Sequence, residues 1–149
     1  MTSGSPAYLV DTNVLVYAYD AADPTKRDRA IAVLEHLYVA GRGVLVLGEF
    51  FVTVTRKLNP PLTPSEAERS IRNYRRSWPV LDLLPEDVST AVRVVRQHKM
   101  AYWDALIWST AKRAGLRAVL SEDFQDGRRL EGIHFLNPLV DRFELQLLT

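Results

Sequence analysis

Short apolar runs recur along this chain, and each is separated from the next by a stretch long enough to hold a helix. Tyr8-Leu9-Val10, Val44-Leu45-Val46-Leu47, Ala118-Val119-Leu120 and Ile133-His134-Phe135-Leu136 are the clearest, and Val80 to Leu83 is a further short candidate. Apolar runs of this length, rich in β-branched residues, read as buried strands. Parallel neighbours need a crossover of a dozen or more residues, commonly a helix. The pattern therefore predicts an α/β fold: a single α/β/α sandwich around a central, mostly parallel sheet of four to five strands.

The helices are marked just as clearly. A short one follows the first strand through Val14, Leu15, Tyr17 and Ala18. Asp23-Pro24-Thr25 opens the next, whose apolar residues Ala30, Ile31, Val33, Leu34, Leu37 and Tyr38 give it a buried face of helical period, with Gly41 and Gly43 as stops. Phe50 to Leu58 continues as a helix until Asn59-Pro60-Pro61 ends it. Thr63-Pro64-Ser65-Glu66 carries the signature of a capped helix start. Further helices run from Pro85 to Val95 and from Tyr102 to Ala114, the latter closed by Gly115. Beyond Pro138, Phe143, Leu145, Leu147 and Leu148 suggest a tail that docks on the body.

A chain of 149 residues with 47% hydrophobic and 25% charged content fits one globular domain. Residues 1–6 read as a flexible leader with no secretory pattern, and residues 7–149 as the domain. No apolar run approaches a membrane span. The absence of cysteine excludes disulfides, zinc-thiolate sites and thiol nucleophiles, and is compatible with a reducing, cytoplasmic setting. Net charge is only +1, but Arg56, Lys57, Arg69, Arg72, Arg75 and Arg76 concentrate basic charge in one stretch against only Glu66 and Glu68.

Four acids occupy suspicious positions on this map. Asp11 ends the first strand, Glu49 follows the second, Asp123 lies three residues past Leu120, and Asp104 falls in the first turn of the Tyr102 helix. Each alone reads as a helix cap or a macrodipole partner. Together they belong to the carboxyl end of the sheet, where open α/β sheets bind ligands. Like charges gathered there repel unless a cation intervenes. A donor set of carboxylates, without Cys or a suitably placed His, suits Mg²⁺ or Mn²⁺ rather than zinc.

These residues also carry a resemblance. Leu9-Val10-Asp11-Thr12-Asn13-Val14-Leu15, Glu49 after a strand, Tyr102-Trp103-Asp104-Ala105-Leu106-Ile107 and Leu120-Ser121-Glu122-Asp123-Phe124 together resemble the signature of PIN-domain ribonucleases, and most closely the VapC-type toxins of bacterial toxin–antitoxin pairs. The likeness runs from about Tyr8 to Pro138. It implies a metal-dependent endoribonuclease with Asp11, Glu49, Asp104 and Asp123 as its acidic cluster, and Thr12, Asn13 and Ser121 as polar neighbours. Asp126 competes with Asp123 for the fourth acidic position, while Glu122 points away if the strand geometry persists. The resemblance further implies an RNA substrate, a 5′-phosphate product, a cognate antitoxin and a homodimer or larger toxin–antitoxin assembly. One and two metal ions both remain open.

Other features are weaker. Arg69, Arg72 and Arg76 share a helical face that is either a solvated surface or an RNA-phosphate track. Lys99 could reach a scissile strand. Tyr102, Trp103 and Trp108 could stack on bases, but aromatic core packing is the better reading for all three. His36, His98 and His134 read as surface or core residues. Two other functions compete: a phosphohydrolase using Asp11 as nucleophile, and a non-catalytic PIN-like module that binds RNA or protein. The first wants a second Asp two residues on, where this chain has Asn13, and the second predicts a lost acid.

Overall fold

Strand β1 (Tyr8–Val10) shows why the sheet must be covered on both faces, since all three of its residues are buried. Tyr8 and Val10 enter one hydrophobic core and Leu9 enters another. The same alternation divides β2 (Gly43–Leu45) and β3 (Ala118–Leu120) between the two cores. The computed structural model describes residues 5–149, so the first four residues of the expected leader lie outside the described residues.

The sheet has five strands in the order β2-β1-β3-β5-β4, with β4 at Arg129–Leu130 and β5 at Ile133–Leu136. β1 pairs parallel with both β2 and β3, β3 pairs parallel with β5, and only β4 runs antiparallel. On one face lie α1 (Thr12–Tyr17), α2 (Pro24–Ala40), α3 (Phe50–Arg56) and α4 (Pro64–Ser77), which supply the core around Leu15, Leu37, Phe50 and Ala67. On the other lie α5 (Pro85–His98) and α6 (Tyr102–Arg113), with Ala91, Val94 and Trp108 at their contact with the sheet. The α/β/α sandwich read from the sequence is the fold observed.

Local chemistry explains the element ends. Thr63 and Glu66 form a reciprocal capping box at α4, with Glu66 N donating to Thr63 Oγ1 at 3.1 Å and Thr63 N to Glu66 Oε1 at 3.0 Å. Gly41 ends α2 at φ 66°, a conformation that costs glycine little. Gly43 is not a second stop, as expected, but the first residue of β2. A Cβ there would lie 2.5 Å from the Trp78 ring, so the close approach of that indole demands glycine.

Several expectations need correction. Val80 to Leu83 makes no strand of its own. Pro79 O accepts from Leu45 N and Leu81 N donates to Leu45 O, each at 3.0 Å, giving a single parallel bridge at Val80. Pairing goes no further, and the carbonyl oxygen of Asp82 instead accepts from Arg113. β2 ends at Leu45 rather than Leu47, because the chain turns away and Val46 O accepts the hydroxyl of Thr12 at 3.1 Å. β4 was not foreseen. It joins β5 through Glu131 and Gly132, both at positive φ, and Glu-Gly is a weaker hairpin signal than Asn-Gly or Asp-Gly. The tail does dock: Leu139 and Leu148 are buried in the first core, and a 3-10 turn spans Leu145–Leu147.

Candidate active site

Parallel strands β1, β2 and β3 end side by side, so whatever follows each of them meets at one edge of the sheet. Asp11 directly follows β1 and caps α1, accepting from Thr12 N at 2.8 Å. Its other carboxylate oxygen accepts from Ser121 Oγ, also at 2.8 Å. One side chain thus caps α1 and also lines the cavity at this edge of the sheet.

Asn13 ties the segments after β1 and β3 together. Its amide nitrogen donates to Ser121 Oγ at 2.9 Å and Asp123 Oδ2 at 3.0 Å, and lies 3.4 Å from Asp11 Oδ2. The orientation of that amide is fixed because Glu122 N donates to Asn13 Oδ1 at 3.2 Å. Ser121 is buried and accepts a third hydrogen bond from Asp123 N at 3.1 Å.

These acids line a cavity of about 780 Å³ together with Glu49 and Asp104. Burial pushes the Asp11 carboxyl up to about 6; the bonds from Ser121 and Thr12 oppose that rise, and the charges of Asp123 and Glu49 add to it. Burial, followed by the charge of Asp123, also raises Asp104. Among the described residues, no three Asp, Glu or His side chains are already gathered as a metal-binding group. The donors nevertheless fit a hard divalent ion: they are carboxylates lining one cavity, the charge of Asp123 acts on both Asp11 and Asp104, and Mg²⁺ keeps several waters and needs few protein ligands. Asp11, Asp104 and Asp123, with Glu49 beside them, would hold it.

The remaining sequence candidates separate clearly. Asp126 does not line the cavity; it accepts from Asn137 N at 2.9 Å and pairs with Arg142. Glu122 faces away, bound to Tyr17 and Lys26 at 2.7 and 2.6 Å. Arg69, Arg72 and Arg76 also stay outside the lining, and Arg72 pairs with Glu68 on the helix surface. Lys99 ends α5 at φ 54° and does not line the cavity either. Trp108 is wholly buried, donating Nε1 to Leu130 O at 3.1 Å, as core packing required. Trp103 departs from that reading. It is 69% exposed at the cavity rim.

Three charged lining residues were not singled out for the site from the sequence: Lys57, Arg75 and Asp82. Arg75 had a usable signal, since it stands one turn beyond Ile71, whose side chain packs on the core and also lines the cavity.

The PIN-domain family model matches residues 8–128, which includes all four acids. The chain belongs to the PIN-domain family. Among solved structures, this PIN domain is similar to a toxin–antitoxin complex from Klebsiella pneumoniae, at 18% identity over 89% of this chain and 98% of that one, with a TM-score of 0.60. It is also similar to VapC20 of Mycobacterium tuberculosis, described as a Sarcin-Ricin loop cleaving toxin, at 15% identity over 78% and 90% of the two chains and a TM-score of 0.59. VapBC2 from Rickettsia felis, solved bound to a DNA fragment from its promoter, matches at 12% identity over 87% and 96%, with a TM-score of 0.57. At such identities the likeness establishes the shared PIN fold. No curated protein matches this chain in sequence. Among the described residues no helix is long and apolar enough to cross a membrane.

Proposed function

We propose that this PIN domain is a Mg²⁺- or Mn²⁺-dependent endoribonuclease that acts in the cytoplasm as the toxin of a toxin–antitoxin pair. The observation that carries the reading is the convergence of Asp11, Glu49, Asp104 and Asp123 on one cavity at the carboxyl end of the sheet. A bound divalent ion lowers the pKa of a coordinated water and offsets the charge that develops on phosphate oxygens. The chain's own contribution is to hold the acids in place. Ser121 and Asn13 fix the carboxylates of Asp11 and Asp123, and Glu122 N fixes Asn13. Asp104, half-buried on α6, lines the same cavity.

The alternative of an aspartate nucleophile is disfavoured by the same geometry. Both oxygens of Asp11 already accept hydrogen bonds from the protein, and position 13 offers an amide rather than a second carboxyl. A non-catalytic module would not need four acids on one cavity. Two of the similar structures are toxin–antitoxin complexes, which supports a cognate antitoxin as partner. A homodimer, or a larger toxin–antitoxin assembly, belongs to the same reading.

The test is direct. Asp11→Asn and Asp104→Asn each abolish RNA cleavage in purified, metal-controlled assays and relieve growth arrest on expression, while circular dichroism shows the fold retained. Undiminished cleavage by both variants would overturn the assignment.

A further inference from the structure

Glu122 does not line the cavity, yet it directly precedes an acid that does. Successive residues after β3 go to different places. Ser121 is buried and donates to Asp11, the Glu122 side chain meets α1 and α2, Asp123 lines the cavity, and Phe124 enters the second core. Asp123 itself is exposed, so its place depends on the residues to either side of it. Phe124 anchors one side, its ring stacked on Phe135 with centroids 4.5 Å apart. Glu122 anchors the other.

That anchor grips α1 twice. The backbone N–H of Glu122 donates to Asn13 Oδ1 at 3.2 Å, and its Oε1 accepts from the Tyr17 hydroxyl at 2.7 Å. Asn13 and Tyr17 are four residues apart on α1, so they share one face of that helix. Lys26 completes the clamp: its Nζ donates to Glu122 Oε2 at 2.6 Å and lies 4.9 Å from the centre of the Tyr17 ring. Lys26 is held in turn by the first turn of α2, where its backbone N–H donates to Asp23. A partly exposed ion pair of this kind adds little to stability. Its consequence is geometric, because α1 starts at Asp11 and carries Asn13, so the clamp registers the Asp123 segment against the other half of the acidic centre.

From this arrangement we propose that Glu122 is a positioning residue for the acidic centre. Held by Tyr17 and Lys26, it sets where Asp123 stands relative to Asp11 and thereby how tightly the centre holds a divalent ion. The inference rests on the metal-dependent endoribonuclease reading and adds to it three residues outside the cavity, Tyr17, Lys26 and Glu122.

The test uses the full chain without RNA and has two readouts. Mn²⁺ binding is titrated by electron paramagnetic resonance of the free ion, and amide hydrogen exchange is followed residue by residue in chelator. Glu122→Ala keeps the backbone donor to Asn13 and loses both side-chain contacts. It weakens Mn²⁺ binding by about tenfold, the effect of removing a partner that orients a metal-binding side chain. In the same variant the amides of residues 122 and 123 exchange faster by a larger factor than those of Leu9 and Val119, which marks the loosening as local. Glu122→Gln still offers an acceptor to Tyr17 and Lys26 and retains most of the affinity. Tyr17→Phe, which removes one hydroxyl and keeps the ring beneath Lys26, falls between the parent and Glu122→Ala.

Equal Mn²⁺ affinity in the parent and Glu122→Ala overturns the inference. So does a loss of affinity accompanied by the same acceleration of exchange at every amide, because that is a loss of the fold and not of position. Failure of the endoribonuclease reading has a different signature: the parent binds Mn²⁺ in a Glu122-dependent way and still leaves RNA uncut in Mg²⁺ and Mn²⁺. A parent that binds no Mn²⁺ overturns both.

Discussion

The side-chain amide of Asn13 donates to Asp123 at 3.0 Å, across a gap that separates two acids coming from different strands. The same nitrogen reaches Ser121 and lies near Asp11, so a neutral donor stands between carboxylates that would otherwise face each other alone. A neutral amide offsets only part of their repulsion, which leaves the cluster short of positive charge.

Replacing that amide by a carboxylate therefore has a definite sign. Asn13→Asp adds a like charge to the cluster and should lower the metal-free melting temperature near pH 7.5 by about 5 °C, taking roughly 1–2 kcal/mol for the added repulsion. Asn13→Ala removes the donor without adding charge and should fall less. Thermal melts in chelator separate the two variants; equal melting temperatures would mean that the amide spaces the acids sterically and does not balance charge.

Divalent metal supplies the missing charge. At a concentration one hundred times its dissociation constant, an ion that binds only the folded state adds about 2.7 kcal/mol, or roughly 5–10 °C for a domain of this size. Mg²⁺ or Mn²⁺ should produce a rise of that order, and Asp11→Asn should remove most of it. Melting curves with and without chelator decide the matter. Indifference of the melting temperature to metal would mean that the protein alone satisfies Asp11.

The raised Asp11 carboxyl also sets a pH dependence. In the unfolded chain it titrates near its ordinary value of 3.8, and in the folded protein near 6. Between those values the folded state holds the extra proton, so this group's contribution to stability falls as pH rises through the window and is fully lost above it. The loss is on the order of 3 kcal/mol for a two-unit displacement. Other carboxylates contribute their own slopes, so the measurement is the difference between the parent and Asp11→Asn in metal-free urea melts from pH 4 to pH 7. The parent should lose stability relative to the variant across that range. A constant difference would show that Asp11 is not held protonated by the fold.

The part of this architecture that could be read from residues is the part fixed by short range. Tyr8-Leu9-Val10 is apolar at every position because both faces of a parallel strand are covered, and Asp11 follows it directly, so strand and acid announce each other. The capping box of Thr63 and Glu66 is equally local. What escaped depends on which way a helix faces. Arg69, Arg72, Arg75 and Arg76 all lie on α4, and only the packing of Ile71 selects Arg75 for the cavity. Trp103 and Trp108 are five residues apart, which puts them on different sides of α6, and the sequence does not say which side meets the sheet. The β4 hairpin turns through Glu131, an unusual residue at positive φ.

Away from the site, Asp87 is the most consequential buried charge on α5. It is 1% exposed, accepts from Leu84 N at 2.9 Å as part of the helix start, and accepts from Arg113 Nε at 2.8 Å. Asp87→Ala removes a cap and leaves the part-buried amide of Leu84 and the Arg113 guanidinium without their carboxylate, at a cost of about 2 kcal/mol. Asp87→Asn keeps an acceptor for the Leu84 amide and should lose less. Urea unfolding should rank the parent above Asn and Asn above Ala; an Ala variant as stable as the parent would show that water replaces both bonds.

Gly43 offers the sharpest packing test. A methyl group added there would meet Trp78 Cζ3 at 2.5 Å and Leu37 Cβ at 3.3 Å, and neither neighbour is the free end of a flexible chain. Gly43 also sits in register with Tyr8 at the start of β1, so the strand cannot retreat without disturbing the sheet that positions Asp11. Gly43→Ala should therefore cost about 1–3 kcal/mol through overpacking, despite the usual gain from removing glycine's freedom in the unfolded chain. Pairing it with Trp78→Leu, which shortens the obstructing side chain, should recover part of that loss relative to Trp78→Leu alone. Chemical denaturation of the four proteins forms a double-mutant cycle, and the interaction energy should come out favourable. Strict additivity would mean that the sheet, rather than the indole, resists the added methyl.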